Sequence, residues 1–309
     1  MRRYAVRHAT LYQYSAPVDL GLHQLRLTPL ALGRQNVLRH SVEIVPEPES
    51  LVEFTDHFGN GVQSATIESR HQEFSVVLQA TIEIADANGA PLADGPAWET
   101  IRAAMQGDGF PKPAEIAEFT YPSPLAQHDD GATGYVAQSF APGTFMVPAL
   151  RDLLARMKAD FAYTPGITDI TTSVAQVMQS QAGVCQDFAH VMIAGLRGLG
   201  LPARYVSGYL RTYPPENGMA LQGADASHAW VSVWCGAEIG WLDCDPTNNL
   251  IVNDEHIAVA YGRDFSDVTP LRGVILGGGH HSLSVSVSVF EETENPQAIA
   301  APAAPTVAP

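Results

Sequence analysis

The stretch from Gly183 to Pro246 constrains this chain most, because it places a thiol, an imidazole and a carboxylate at the ends of three elements. Cys185 stands in Gln181-Ala-Gly-Val-Cys185-Gln-Asp-Phe-Ala-His190. Phe188, Ala189, Met192, Leu196 and Leu199 then recur at helical spacing. Gly200 followed by Leu201-Pro202 closes that helix. Cys185 therefore falls in the first turn, where free N–H groups and the helix dipole favour negative charge. Gly183 can supply an unusual backbone angle just before it. A cysteine at a helix start beside an imidazolium favours the thiolate, which is the nucleophile.

His228 opens a different pattern. His228, Trp230, Ser232 and Trp234 alternate with Ala229, Val231 and Val233, the period of a strand. A turn at 236–240 leads to Trp241-Leu-Asp-Cys-Asp245, which reads as the returning strand. Pro246 cannot donate to a ladder and leaves Asp245 at the strand tip. Such a pair brings His228 beside Asp245, whose carboxylate would fix the tautomer and stabilise the cation. Asp243, two residues earlier on the same expected face, is the rival. Cys185, His228 and Asp245 thus form a candidate nucleophile, acid/base and orienting group.

The segments Gly-Val-Cys-Gln-Asp-Phe-Ala-His (183–190), Leu-Arg-Gly-Leu-Gly-Leu-Pro-Ala-Arg-Tyr-Val-Ser-Gly-Tyr (196–209), His-Ala-Trp-Val (228–231) and Gly-Trp-Leu-Asp-Cys-Asp-Pro-Thr-Asn (240–248) resemble the bacterial transglutaminase-like superfamily. Further cues are Tyr4-Ala-Val-Arg-His8, Leu25-Arg-Leu-Thr-Pro29, Asp56-His-Phe-Gly-Asn60 and the run from His256 to Pro270. The resemblance covers roughly 2–290 and is most specific in the core motifs. It implies an α+β fold: an N-terminal β-sandwich, then a papain-like, transglutaminase-like core with the nucleophile-bearing helix packed on an antiparallel sheet. It also implies a triad of Cys185, His228 and Asp245, and its Asp-Pro-Thr-Asn pattern favours Asp245 over Asp243. The chain departs from the family pattern at none of the three.

Along the chain, 1–85 reads as the β domain, 86–96 as a linker, 97–290 as the catalytic core and 291–309 as a disordered Ala- and Pro-rich tail. Within the core, 147–161 reads as an amphipathic helix through Leu150, Leu153, Leu154 and Met157. Residues 174–180 form a short helix before the cysteine, and 282–290 alternates as a half-buried strand.

Charge narrows the partners. The net charge is −16, and only Lys112 and Lys158 among the 17 basic residues are lysines. An acidic chain repels phosphate backbones, so no nucleic-acid partner is expected. Mean hydropathy is −0.01, and no apolar run approaches a membrane span, so no membrane partner is expected either. The first residues lack the apolar core of a signal peptide, which makes the cytoplasm the expected location. Three cysteines are too few for a disulfide framework.

Cys235 and Cys244 are expected to be small buried hydrophobes. Asp187 and His190 lie off the face of the thiol and are expected to be structural. Gly277-Gly-Gly-His-His281 reads as a turn, since adjacent histidines share no face and no second ligand pair accompanies them; no metal and no cofactor are expected. Trp230, Trp234 and Trp241 are expected in the core, unless one lines a donor groove. The oxyanion would be held by the Cys185 N–H, with Gln179 the leading second donor and Gln181 and Tyr163 its competitors. The expected reaction is attack of the thiolate on a carboxamide of a peptide or protein, either a glutamine side chain or a peptide bond, through a thioester. Hydrolysis is the expected outcome, with transamidation to an amine acceptor as the other. The opposing reading is a non-catalytic peptide- or partner-binding module on the same scaffold.

Overall fold

The computed structural model describes residues 1–85, 92–106, 114–213 and 227–292. Its first sheet is built on β1 (Arg2–Leu25), with β2 (Gln35–Val45), β3 (Ser50–Thr55), β4 (Gly61–Ile67) and β5 (His71–Ile84). β1 serves two neighbourhoods. Its first half pairs β5, with Tyr4 opposite Ile82 and Tyr12 opposite Phe74, and its second half pairs β4, with His23 opposite Ala65. The halves fold toward each other, since the His23 ring stacks on Phe74 at 4.1 Å and 15°.

The helical section follows as α1 (Trp98–Gln106), α2 (Ala114–Ala117), a single 3-10 turn at Glu118–Thr120, α3 (Asp130–Ala137) and α4 (Met146–Asp160). The stripe expected on α4 is real: Leu150, Leu153, Leu154 and Met157 are all buried. Each such side chain contributes about 1.5–3 kcal/mol of burial energy before entropy is counted. Two short parallel strands, β6 (Ala162–Tyr163) and β7 (Ala182–Gly183), bracket α5 (Val174–Ser180). α6 (Cys185–Gly198) is buried along most of its length. α3 presses close to it. A Cβ on Gly195 would sit 2.3 Å from Val136 Cγ2 and 2.6 Å from the Ala132 carbonyl oxygen, so only glycine allows this approach.

The second sheet contains β8 (Ala203–Leu210), β9 (His228–Trp234), β10 (Trp241–Asp245), β11 (Leu250–Ile251) and β12 (His256–Gly262), in the antiparallel order β11-β10-β9-β8-β12. α6 lies against β8 and β9. This is the α+β architecture expected from sequence, with the cysteine-bearing helix on an antiparallel sheet. The described residues end with α7 (Phe265–Val268), β13 (Leu271–Gly277) and β14 (His281–Glu291).

Those last strands correct one expectation. They do not extend the core: β14 pairs the first half of β1 and β13 its second half. β1 exposes a second edge, and an unpaired edge is a liability that a late alternating strand removes. Residues 271–291 therefore belong to the first sheet by hydrogen bonding, not to a unit running continuously to 290. Positions 86–91 of the expected linker, and 293–309 of the expected tail, lie outside the described residues.

The two sheets are locked by side-chain amides. Gln35 accepts from the Ala258 N–H at 2.9 Å and donates to its carbonyl at 2.8 Å. Asn60 does the same to Tyr261, at 2.8 Å in both directions. β12 is an edge strand, and these amides satisfy its outer polar groups as another strand would. The motif Asp56-His-Phe-Gly-Asn60 is the device that aims Asn60: Asp56 accepts from Phe58 N, Asn60 N and Asn60 Nδ2. Among the described residues no helix is long and apolar enough to cross a membrane.

Candidate active site

α6 begins at Cys185, as the spacing of its apolar residues requires, and Gly200 follows its end with φ +79°. The start is held by Asp187, whose Oδ2 accepts from the Val184 N–H at 2.8 Å and from Thr168 Oγ1 at 2.7 Å. Gly183 plays another role than expected. The residue with positive φ is Gln181, at 49°. Gly183 supplies space, since a Cβ there would meet Asp187 Oδ2 at 2.6 Å. The expected structural role of Asp187 is what its hydrogen bonds describe. His190 likewise accepts from the Phe265 N–H at 3.3 Å and packs on Tyr205.

His228 starts β9 and Asp245 ends β10. Their side chains meet, with Nε2 to Oδ2 at 2.9 Å, and both residues are buried. Asp243 is elsewhere: its Oδ2 accepts from Trp230 Nε1 at 3.2 Å. Asp245 collects further donors. Oδ1 accepts from Thr247 N at 2.9 Å and Asn248 N at 3.2 Å, and Oδ2 from Asn248 Nδ2 at 2.8 Å. The Asp-Pro-Thr-Asn turn thus wraps backbone and amide donors around one carboxylate.

A second histidine completes the cluster. His256, at the start of β12, places Nε2 3.1 Å from the same Oδ2 and Nδ1 3.2 Å from Asn253 Oδ1. No role was expected for His256, although it stands in one of the quoted motifs. The available signal was that it opens a strand, as His228 does. His228, Asp245 and His256 are of metal-ligating type, with ligand atoms within 4.8 Å of one another; here those atoms are engaged in hydrogen bonds with each other.

The electrostatics assign protons. Burial alone would push the His228 imidazole down; Asp245 first, and Cys185 with it, outweigh burial and raise it to about 10. Burial would raise the Asp245 carboxyl, but His228 and then His256 hold it well below the usual carboxylate range. At His256 burial outweighs the help from Asp245, and its pKa is lowered. The cluster is therefore a charged pair, His228 with Asp245, steadied by a neutral His256. The Nδ1 of His228 is the nitrogen that Asp245 does not use. It is buried and has no partner at hydrogen-bond distance in the resting structure. Cys185 acts on the imidazole as its other partner, and loose contacts of this kind tighten when substrate arrives.

The remaining candidates separate cleanly. Cys185 is 8% exposed, against 0% for Cys235 and Cys244. Burial pushes the Cys235 thiol up to about 12 and the Cys244 thiol well above its ordinary value. Gln179 is exposed on α5, Gln181 is exposed just after it, and Tyr163 is half-buried with its ring edge-on to Phe188. The 277–281 segment is the β13–β14 turn, with positive φ at Gly277, Gly278 and Gly279.

Comparison with known proteins adds the following. Residues 4–83 match the model of the bacterial transglutaminase-like N-terminal region, and residues 135–246 that of the transglutaminase-like superfamily. An uncharacterized protein of Mycobacterium tuberculosis is 38% identical over 298 residues, covering 94% of this chain and 93% of that one. A protein-glutamine gamma-glutamyltransferase of Pseudomonas aeruginosa is 38% identical over 91 residues, 28% of this chain and 13% of that protein. The solved structure of a candidate cysteine protease from Cytophaga hutchinsonii superposes with a TM-score of 0.70 at 22% identity, covering 94% of this chain and 90% of that one, and shares the fold.

Proposed function

This chain belongs to the transglutaminase-like superfamily, and on that premise we propose that it is a cysteine-dependent acyl-transfer enzyme acting on carboxamides of peptides or proteins. The observation that carries the reading is the buried His228–Asp245 pair, held charged beside a cysteine at a helix start.

In the proposed reaction the Cys185 thiolate attacks the carbonyl carbon of a glutamine side chain or a peptide bond. The C=O electrons move to oxygen, and the N–H of Cys185 donates to that oxyanion. Gln179 is the proposed second donor; its exposed position requires the α5–β7 turn to bring it in. His228 gives its proton to the departing nitrogen, which leaves as ammonia or an amine, and a thioester remains. His228, now neutral, takes a proton from the acceptor as it attacks. Water yields the carboxylic acid, and an amine yields a new amide; either way the thiolate and imidazolium return. Asp245 keeps the Nε2 proton in place throughout, so that Nδ1 faces the reacting atoms.

Hydrolysis is the favoured outcome, because water needs no binding site to reach the thioester. We place the protein in the cytoplasm, where its three free cysteines stay reduced. The test incubates the protein with a glutamine-containing peptide, with and without labelled cadaverine. Ammonia release that disappears in Cys185→Ala supports acyl transfer. Cadaverine incorporation exceeding hydrolysis at low millimolar amine would reverse the preference for water. Equal product from wild type and Cys185→Ala would remove the reaction altogether.

A further inference from the structure

The other end of the same sheet holds a cation whose guanidinium has no hydrogen-bonded acceptor among the described residues. Arg204 on β8 is four residues from Gly208, the register partner of His228. At ~3.3 Å per residue that is roughly 13 Å along the strand. The Arg204 guanidinium carbon lies 4.2 Å from the centroid of the Trp241 ring and 3.8 Å from that of Tyr261. The group is thus held between two aromatic rings. Its Nε is buried without a partner, and among the described residues no carboxylate or carbonyl accepts from its terminal nitrogens. Ser232 is the register partner of both Arg204 and Asp243, and its Oγ is a second buried atom without a partner.

Arg204 and Trp241 line a crevice of about 340 Å³, together with Leu32, Arg34, Asp243 and Tyr261. The crevice joins the loop before β2 to strands of the core. Arg34 is held by one hydrogen bond, 2.7 Å to the Asn253 carbonyl. Two guanidinium groups therefore face one carboxylate, and that carboxylate is already tied to Trp230 Nε1 at 3.2 Å. A desolvated guanidinium without a hydrogen-bonding acceptor is costly. A stacked guanidinium with its fork free is pre-organised for a planar, bidentate anion. Asp243 limits the charge: a single carboxylate is accommodated, whereas a dianion meets repulsion. Leu32 offers an apolar flank to the stem that carries it.

We propose that this crevice binds a carboxylate of a polypeptide, with Arg204 as the bidentate partner and Arg34 as the second cation. The carboxylate comes from an acidic side chain or from a chain end; both present the same group to the fork. Val206 and Trp230, both buried, fill the sheet face between the crevice and His228, so the crevice is a site of its own. Binding at the crevice does not rest on the proposed reaction.

The test is calorimetric titration of the full chain carrying Cys185→Ala, so that nothing turns over. The probes are an acetylated and amidated hexapeptide with one Glu, its Gln twin, a neutral hexapeptide with a free C-terminus, its amidated twin, and inorganic phosphate. At least one carboxylate peptide should bind about tenfold or more tighter than its neutral twin, the loss expected when a charged hydrogen-bonding partner is missing. Which of the two binds identifies the source. Adding Arg204→Lys, which keeps the charge and the stem but not the fork, should abolish that preference. Adding Asp243→Asn should strengthen it. Equal binding of acid and neutral twins, no saturable binding at millimolar peptide, tighter binding of phosphate than of either carboxylate, or an unchanged preference in Arg204→Lys would each overturn the proposal. A protein inactive towards carboxamides would leave the titration unaffected, so failure of the reaction and failure of the site are separable.

Discussion

Two buried histidines of the first sheet and His228 of the second carry opposite charge states. In the first sheet, His8 is buried with neutral partners, Tyr209 OH at 3.0 Å and Thr10 Oγ1 at 3.2 Å. His23 is buried with none and stacks on Phe74. Burial pushes both down to about 4, with His71 adding to the effect at His23. In the second sheet His228 is buried at least as deeply, yet it is raised to about 10. The difference is Asp245. Burial sets a default of neutrality; Asp245 with Cys185 inverts it at His228, whereas at His256, on the same carboxylate, burial still wins. At His228 the partners rather than the exposure set the charge.

Breaking the inversion should have the largest effect. Asp245→Asn keeps the size and many of the contacts but no longer holds the Nε2 proton. On the proposed reaction, turnover should fall by about 10⁴ while the fold persists, as when a catalytic triad loses its carboxylate. Activity within tenfold of wild type would show that Asp245 is structural only.

Removing the carboxylate altogether should register in stability. Asp245→Ala leaves His228 and His256 facing each other without their acceptor. Truncation of one partner of a buried ion pair costs about 3–5 kcal/mol, which a denaturant midpoint at pH 7 would read. His256→Gln, which can still donate to Asp245, should cost much less than His256→Ala.

The pH dependence of stability tests both sides of the comparison. His8 and His23 have folded pKa values below the ordinary 6.5. The unfolded chain therefore binds more protons between about pH 6.5 and 4, and stability is lost as pH falls through that window. His8 contributes up to about 1.4 kcal/mol per pH unit there, and His23 less. His228 acts in the opposite sense. Its contribution is present in full below pH 6.5 and is lost as pH rises towards about 10. Stability should therefore peak near neutrality. His228→Ala should flatten the alkaline limb alone, and His8→Gln the acid limb. A single variant flattening both limbs would contradict the division.

The smallest effect expected is a gain. His23→Phe keeps the stack on Phe74 and removes two buried nitrogens without partners. Satisfying or deleting such groups is worth about 1 kcal/mol. A thermal midpoint higher than wild type at pH 5, with a smaller gain at pH 7, is the expected pattern.

Much of the candidate site was legible in the sequence because it is local. The helix at Cys185, the strand of His228 and the tip position of Asp245 follow from spacing, from the glycines of the hairpin and from Pro246. What was not legible depends on partners far along the chain. His256 reaches Asp245 only because β12 pairs with β8 on the opposite edge of the sheet from β10. The alternation of Ser282–Phe290 announces a half-buried strand but cannot say that its partner is β1. The amides of Gln35 and Asn60 look like ordinary loop residues until β12 lies beside them. Gly183 was read for its freedom of dihedral angle, whereas the structure uses its missing side chain.

The central claim is that His228 is held charged so that Cys185 is the reactive thiol. The most direct test is the pH dependence of iodoacetamide alkylation, followed at each cysteine by peptide mass spectrometry, in wild type and His228→Ala. The account predicts that Cys185 is labelled selectively, that this reactivity is lost in His228→Ala, and that Cys235 and Cys244 stay unmodified in both. Slow labelling of Cys185 at the rate of the other two, or reactivity unchanged by His228→Ala, would contradict it.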